Sequence, residues 1–129
     1  MNAQNDRILI VDDEFLITEV LSAMVEDMSM MVCGCAGTAE EAVLLAEEHR
    51  PWLVLMDVRL KGPNDGVDAA LVIHKSVGAK VIFITGSREP STVARIEQDH
   101  PADVLFKPIT FEQLRRAVQR VAGSGQPAP

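Results

Sequence analysis

Arg7–Glu14 reads RILIVDDE. Ile8–Val11 is apolar at every position, and three consecutive acids follow at once. A strand with one wet face would alternate apolar and polar residues, so an unbroken run marks a strand covered on both faces. The pattern recurs along the chain. Met30–Ala36, Trp52–Met56, Val81–Ile84 and Val104–Phe106 are further short apolar runs, and each ends at a polar or turn-forming residue.

Longer amphipathic segments lie between these runs. Glu14–Asp27 carries Phe15, Ile17, Leu21, Met24, Val25 and, just beyond, Met28 at roughly helical spacing. Gly37 breaks the second run, and Thr38-Ala39-Glu40-Glu41 is a capping box opening a helix over Ala39–His49, with Ala42, Leu45 and Ala46 on its buried side. Pro51 ends that segment. Leu60–Asp65 is a loop, and Val67–Val77 reads as a helix closed by Gly78. Pro90–Gln98 is a shorter helix, and Thr110 caps a last one over Phe111–Val121. Residues 1–122 form one domain in this reading, and 123–129 (GSGQPAP) a disordered tail.

Strands alternating with helices imply a doubly wound parallel sheet, α/β, with helices on both faces. In such sheets ligands bind at the carboxyl ends of the strands, where the strand order reverses. The chemistry-bearing residues fall there. The first strand ends in Asp12-Asp13, the third in Asp57, the fourth in Thr85 and the fifth in Lys107-Pro108. Taken singly, each has an ordinary reading as a cap, a turn or a loop residue. Their coincidence on one sheet edge does not.

Three carboxylates gathered together repel and raise one another's pKa, and a divalent cation relieves that conflict. A few oxygen ligands completed by water suit magnesium, Mg2+. Asp57 is the natural nucleophile, because a carboxylate can form an acyl phosphate. Lys107 and a hydroxyl on Thr85 would offset charge on a transferring phosphoryl group.

Composition bounds the rest. The chain has 129 residues, enough for one core but not two, and a formal net charge of −7. An acidic chain with few aromatic residues is poorly suited to nucleic acid. No apolar stretch is long enough to span a membrane and the start lacks a signal-peptide pattern, so a cytoplasmic location is expected. Cys33 and Cys35 lie two apart on a strand and point to opposite faces, so no disulfide joins them. His49, His74 and His100 show no metal-ligand spacing.

The pieces Ile8–Asp13 (ILIVDD), Leu55–Arg59 (LMDVR), Phe83–Gly86 (FITG) and Phe106–Pro108 (FKP) resemble, in order and spacing, the receiver domain of two-component response regulators. The resemblance covers essentially the whole folded chain. It implies a flavodoxin-like sheet of five strands in the order 2-1-3-4-5 with five helices. It implies that Asp57 accepts phosphate from a sensor histidine kinase or a histidine phosphotransfer protein. Asp13 and Asp57 would ligate Mg2+ directly, Asp12 through water, and the backbone carbonyl of Arg59 would complete the protein ligands. Thr85 would move toward the phosphoryl group and Lys107 would pair with it, with the Lys107–Pro108 peptide cis.

A protein of this kind is no conventional enzyme beyond weak self-catalysed phosphoryl transfer and hydrolysis. It is expected to act through a downstream protein partner, as a free-standing monomer or weak homodimer or as part of a longer regulator. Val104 stands where many receivers carry an aromatic residue that rotates inward. Arg88 stands where a subgroup with a Phe-x-Thr-Gly-x-Tyr motif has its tyrosine. A phosphatase of the haloacid-dehalogenase type would need a second Asp two residues after the nucleophile, where Arg59 stands. A flavodoxin would need a Ser/Thr/Gly-rich loop in place of Asp12-Asp13-Glu14. A degenerate receiver acting by binding alone would not need the complete set Asp12, Asp13, Asp57, Thr85 and Lys107.

Overall fold

The structure is a computed structural model, and it describes residues 6–124. Its elements are β1 (Arg7–Val11), α1 (Phe15–Asp27), β2 (Met31–Ala36), α2 (Ala39–His49), β3 (Leu53–Met56), α3 (Gly66–Ser76), β4 (Lys80–Thr85), α4 (Pro90–Gln98), β5 (Asp103–Phe106) and α5 (Phe111–Ser124). All neighbouring strands pair in parallel, in the order β2-β1-β3-β4-β5. The expected flavodoxin-like arrangement is therefore the observed one.

The unbroken apolar runs have a direct explanation in the two layers. Successive side chains of a strand point to opposite faces. Leu9, Val11, Val54, Met56 and Phe83 face one layer, with Ala42 and Ala46 of α2, Ala70 and Ile73 of α3 and Ile96 of α4. Ile8, Ile10, Leu53, Leu55, Ile82 and Ile84 face the other, with Leu21 and Val25 of α1 and Leu114 and Val118 of α5. Both faces are closed to solvent along Ile8–Val11 of β1 and along all of β3, so neither stretch has a polar position to spare.

The chain runs from β1 outward to β2, then crosses β1 to reach β3 on its other side. The crevice of this doubly wound sheet thus opens at the carboxyl ends of β1 and β3, between Asp12 and Asp57. The position of Asp57 is set by a close approach. The α3 residue Gly66 donates its N–H to the Val58 carbonyl at 2.7 Å. A Cβ on Gly66 would lie 1.9 Å from the Asp57 carbonyl oxygen. Only glycine lets α3 start so near the backbone of Asp57.

Some boundaries and faces differ from the sequence reading. Glu14 precedes α1 as its N-cap residue, and Phe15 and Leu16 are 72% and 76% exposed. Thr18 takes a buried place instead, because its hydroxyl donates to the Phe15 carbonyl at 2.7 Å and so carries no orphaned polar group inward. The α3 helix starts one residue earlier than expected, through a capping box of Asp65 and Asp68 that the turn-rich loop concealed. The α5 helix passes Val121 and continues through Gly123 to Ser124, so the expected boundary at 122 falls inside it. The remainder of the expected tail, 125–129, lies outside the described residues.

Cys33 and Cys35 are both free thiols. Cys33 packs against the α2 side of the sheet, whereas Cys35 is exposed near the Ser22 hydroxyl of α1. Among the described residues no helix is long and apolar enough to cross a membrane.

Candidate functional site

Each of the strand-end residues arrives at the crevice because its strand stops there. Asp12 continues the β1 edge by donating its N–H to the Ala36 carbonyl at 2.9 Å, and Asp57 does so through the Val11 carbonyl at 2.8 Å. Thr85 is the last residue of β4, and its carbonyl accepts from the Lys107 N–H at 2.9 Å, which sets Lys107 just beyond β5. The Lys107–Pro108 peptide is cis, as the resemblance implies.

The side chains converge. Asp12, Asp13 and Asp57 each offer a carboxylate oxygen within 4.8 Å of the others. Asp12 and Asp57 are buried and Asp13 is half-buried. The Lys107 ammonium donates to Asp12 Oδ2 at 2.9 Å and to Asp57 Oδ2 at 3.4 Å. Asp12 Oδ1 accepts the Glu14 N–H at 2.9 Å, so this acid serves the α1 start and the crevice together. The Thr85 hydroxyl accepts the Ser87 N–H at 3.1 Å, which leaves its own proton free to be donated.

The electrostatics follow from crowding. Burial, together with the charge of Asp12, pushes the Asp57 carboxyl up to about 6, against the opposing pull of Lys107. Burial by itself would lower the Lys107 pKa. The hydrogen bond to Asp12 and the charges of both aspartates outweigh it, and the net shift is upward. One ammonium among three carboxylates leaves excess negative charge in a half-closed space. That donor set, all oxygen and anionic, fits a hard divalent cation.

A cavity of about 450 Å³ opens at the same edge, lined by Glu14, Arg59, Thr85, Gly86, Ser87, Arg88, Glu89 and Lys107, and Lys107 joins it to the carboxylates. Sequence reasoning brought Thr85, Lys107 and Arg59 to this edge but met Arg88 only as a departure from a tyrosine motif, not as a lining residue. The Arg88 guanidinium lies over the Phe106 ring, 4.3 Å from its centroid, a pairing of the loop after β4 with the end of β5 that no local pattern announces. Sequence reasoning missed Arg95 of α4, which donates to both carboxylate oxygens of Asp65 at 2.7 and 3.3 Å and so ties α4 to the start of α3.

Fold and site together define a flavodoxin-like α/β domain with a carboxylate-and-lysine pocket at its switch crevice. Over residues 8–119 the sequence matches the response regulator receiver domain family. It is 35% identical over 113 residues to the transcriptional regulatory protein PdtaR of Mycobacterium tuberculosis, aligning 88% of this chain with 55% of that protein. To the phyllosphere-induced regulator PhyR of Methylorubrum extorquens it is 40% identical over 102 residues, 78% of this chain and 38% of that one. The receiver domain of Erythrobacter litoralis PhyR superposes with a TM-score of 0.82 at 27% identity, covering 97% of this chain and 96% of that one. The signal receiver domain of a modulated diguanylate cyclase from Desulfovibrio desulfuricans gives 0.83 at 33% identity, covering 88% and 90%.

This chain belongs to the response regulator receiver family, the phosphorylation-controlled domain of two-component signalling. Receivers are generally signalling domains rather than enzymes, bind Mg2+ in an acidic pocket, and interact with histidine kinases or phosphotransfer partners. The chain spans about half or less of the length of these two regulators.

Proposed function

We propose that Asp57 is the phosphoryl acceptor of this receiver, that the side chains of Asp12, Asp13 and Asp57 with the Arg59 carbonyl hold Mg2+, and that Thr85 and Lys107 contact the phosphoryl group. The observation that carries this reading is the convergence of the three carboxylates with Lys107, which also lines an open cavity at the strand ends. Bound Mg2+ would supply positive charge to the phosphoryl oxygens.

The chain's own residues do the rest. Asp57 sits at a strand end fixed by the Val11 carbonyl, and the Lys107 ammonium 3.4 Å from Oδ2 holds its carboxylate. Ionised Asp57 attacks phosphorus, and a new oxygen–phosphorus bond forms as the donor's bond to its leaving group breaks. Lys107 bridges the two buried acids and can follow the negative charge onto a phosphoryl oxygen. Thr85, buried at 1% exposure beside open space at Gly86, has a hydroxyl proton to donate to another.

In this reading the phosphoryl group comes from a histidine kinase or phosphotransfer protein, and the output is a protein contact in the cytoplasm. Any enzymatic activity is limited to self-catalysed transfer and hydrolysis. Arg59 stands where a haloacid-dehalogenase-type phosphatase would need its second acid, which supports slow turnover.

The test is intact-mass spectrometry after incubation with magnesium and acetyl phosphate. One phosphoryl adduct is expected on the wild type, and none on Asp57→Asn or in the presence of chelator. A wild type that binds beryllofluoride yet never takes an adduct would leave a receiver that acts by binding alone.

A further inference from the structure

The crevice has an electrostatic difficulty for an incoming donor. Three carboxylates cluster at it, and the cation on them, Lys107, is already engaged by Asp12 and Asp57. A small dianionic phosphodonor must approach this cluster on a chain of net charge −7. The wall of the cavity supplies two more cations, Arg59 and Arg88.

These two arginines differ from those of α4 and α5. Arg95 pairs with Asp65 and Asp68, Arg115 and Arg116 with Glu112, and Arg120 with Asp103. Arg59 and Arg88 form no salt bridge among the described residues, although Glu14 and Glu89 line the same cavity. Arg88 is nonetheless placed, because its guanidinium lies over Phe106, the residue before Lys107. A guanidinium stacked by its face keeps its edge donors available, and that fork matches a carboxylate or phosphate. The cavity, at about 450 Å³, is large enough for a small organic phosphate.

We propose that Arg88, held over Phe106 and assisted by Arg59, is a specificity-determining residue that selects small acyl phosphates as direct phosphodonors by binding the carboxylate that leaves. The proposal rests on Asp57 being the acceptor. The phosphorus–oxygen bond to the acyl group breaks as phosphorus bonds to an Asp57 carboxylate oxygen. The electron pair departs with the acyl oxygen, giving a carboxylate that needs no proton. Arg88 favours that developing anion and has no corresponding hold on a donor whose leaving group is neutral, such as phosphoramidate, which releases ammonia.

The experiment compares rates of adduct formation from acetyl phosphate and from phosphoramidate in wild type, Arg88→Gln and Arg88→Lys, with magnesium, at low and high salt. Losing one charge-assisted contact is expected to slow acetyl phosphate about tenfold in Arg88→Gln and to flatten its salt dependence. The phosphoramidate rate should stay within about twofold, and Arg88→Lys should keep only part of the acetyl phosphate rate, because it keeps the charge but loses the stacked fork. Beryllofluoride binding by each variant checks that the carboxylate cluster is intact. Equal slowing with both donors, or no slowing with either, overturns the assignment and leaves Asp57 as acceptor. Absence of an adduct on the wild type from both donors overturns the Asp57 reading itself.

Discussion

Lys107 lies nearer to Asp12 than to Asp57: its ammonium is 2.9 Å from Asp12 Oδ2 and 3.4 Å from Asp57 Oδ2. The lysine is thus anchored on the neighbour of the acceptor, with a looser hold on the acceptor itself. Both acids are buried, at 3% and 6% exposure, so the ammonium balances charge that water does not reach.

Removing that cation should be costly. Lys107→Met leaves two buried carboxylates facing each other, and breaking a buried pair from one side costs about 3–5 kcal/mol. Urea unfolding with chelator at neutral pH should show a loss near the lower end of that range, since Lys107 is partly exposed. Adding magnesium should recover part of it. A variant as stable as wild type under chelator would show that the carboxylates are not coupled through the lysine.

The raised Asp57 pKa predicts a pH dependence of stability. The folded value of about 6 lies above the unfolded value of 3.8, so the folded state holds this proton more tightly. Its stabilising contribution is fully present below pH 3.8 and is lost as pH rises through 6. A shift of about two units corresponds to about 3 kcal/mol. With chelator present, the stability of Asp57→Asn relative to wild type should therefore increase by about that amount between pH 4 and pH 7.5. Paired denaturation curves at the two pH values measure it, and an unchanged difference would contradict the shift.

Gly66→Ala tests the close approach behind the acceptor. The added Cβ would fall 1.9 Å from the Asp57 carbonyl and 3.0 Å from Met56 Cγ, so α3 must move away from β3. A loss of about 2–4 kcal/mol is expected, the range of forced overpacking combined with a backbone shift. Adduct formation should fall as well, because the carboxylate moves with its backbone. A fully stable, fully reactive variant would show that the α3 start is free to reposition.

The tie between Arg95 and the α3 start is partly exposed, and its worth is correspondingly small. Burial raises the Asp65 pKa, but the hydrogen bonds from Arg95 and its own capping box outweigh it and the net shift is downward. Arg95→Ala should cost about 1 kcal/mol in global unfolding. Its clearer effect should be local, because Ile96 is the one buried side chain of α4. Faster amide exchange across Pro90–Gln98, with β1 and β3 unchanged, is the expected result.

The sheet was largely legible before any coordinates. Ile8–Val11 and Leu53–Met56 carry no polar residue, and only strands covered on both sides can bury such runs. Alternation of those runs with amphipathic segments then forces a parallel sheet, and the strand-end acids follow from where the runs stop. The buried face of α1 was less legible. Phe15 fits a helical stripe by spacing, yet it is exposed while Thr18 is buried, because the crossing of the helix over the sheet and one local hydrogen bond decide the face.

The order of residues along the chain thus determined which groups stand at the sheet edge: Asp12, Asp13, Asp57, Thr85 and Lys107, each at the end of its own strand. It did so because a strand's end is a local event, written in a few consecutive residues. What only the tertiary structure decided is how those groups interact. The lysine's preference for Asp12, the pKa of Asp57 near 6, the fit of Gly66 behind it and the stacking of Arg88 on Phe106 all depend on distances between residues remote in sequence. Coulombic and steric energies change over a few tenths of an ångström, and those distances exist only after the five strands have paired.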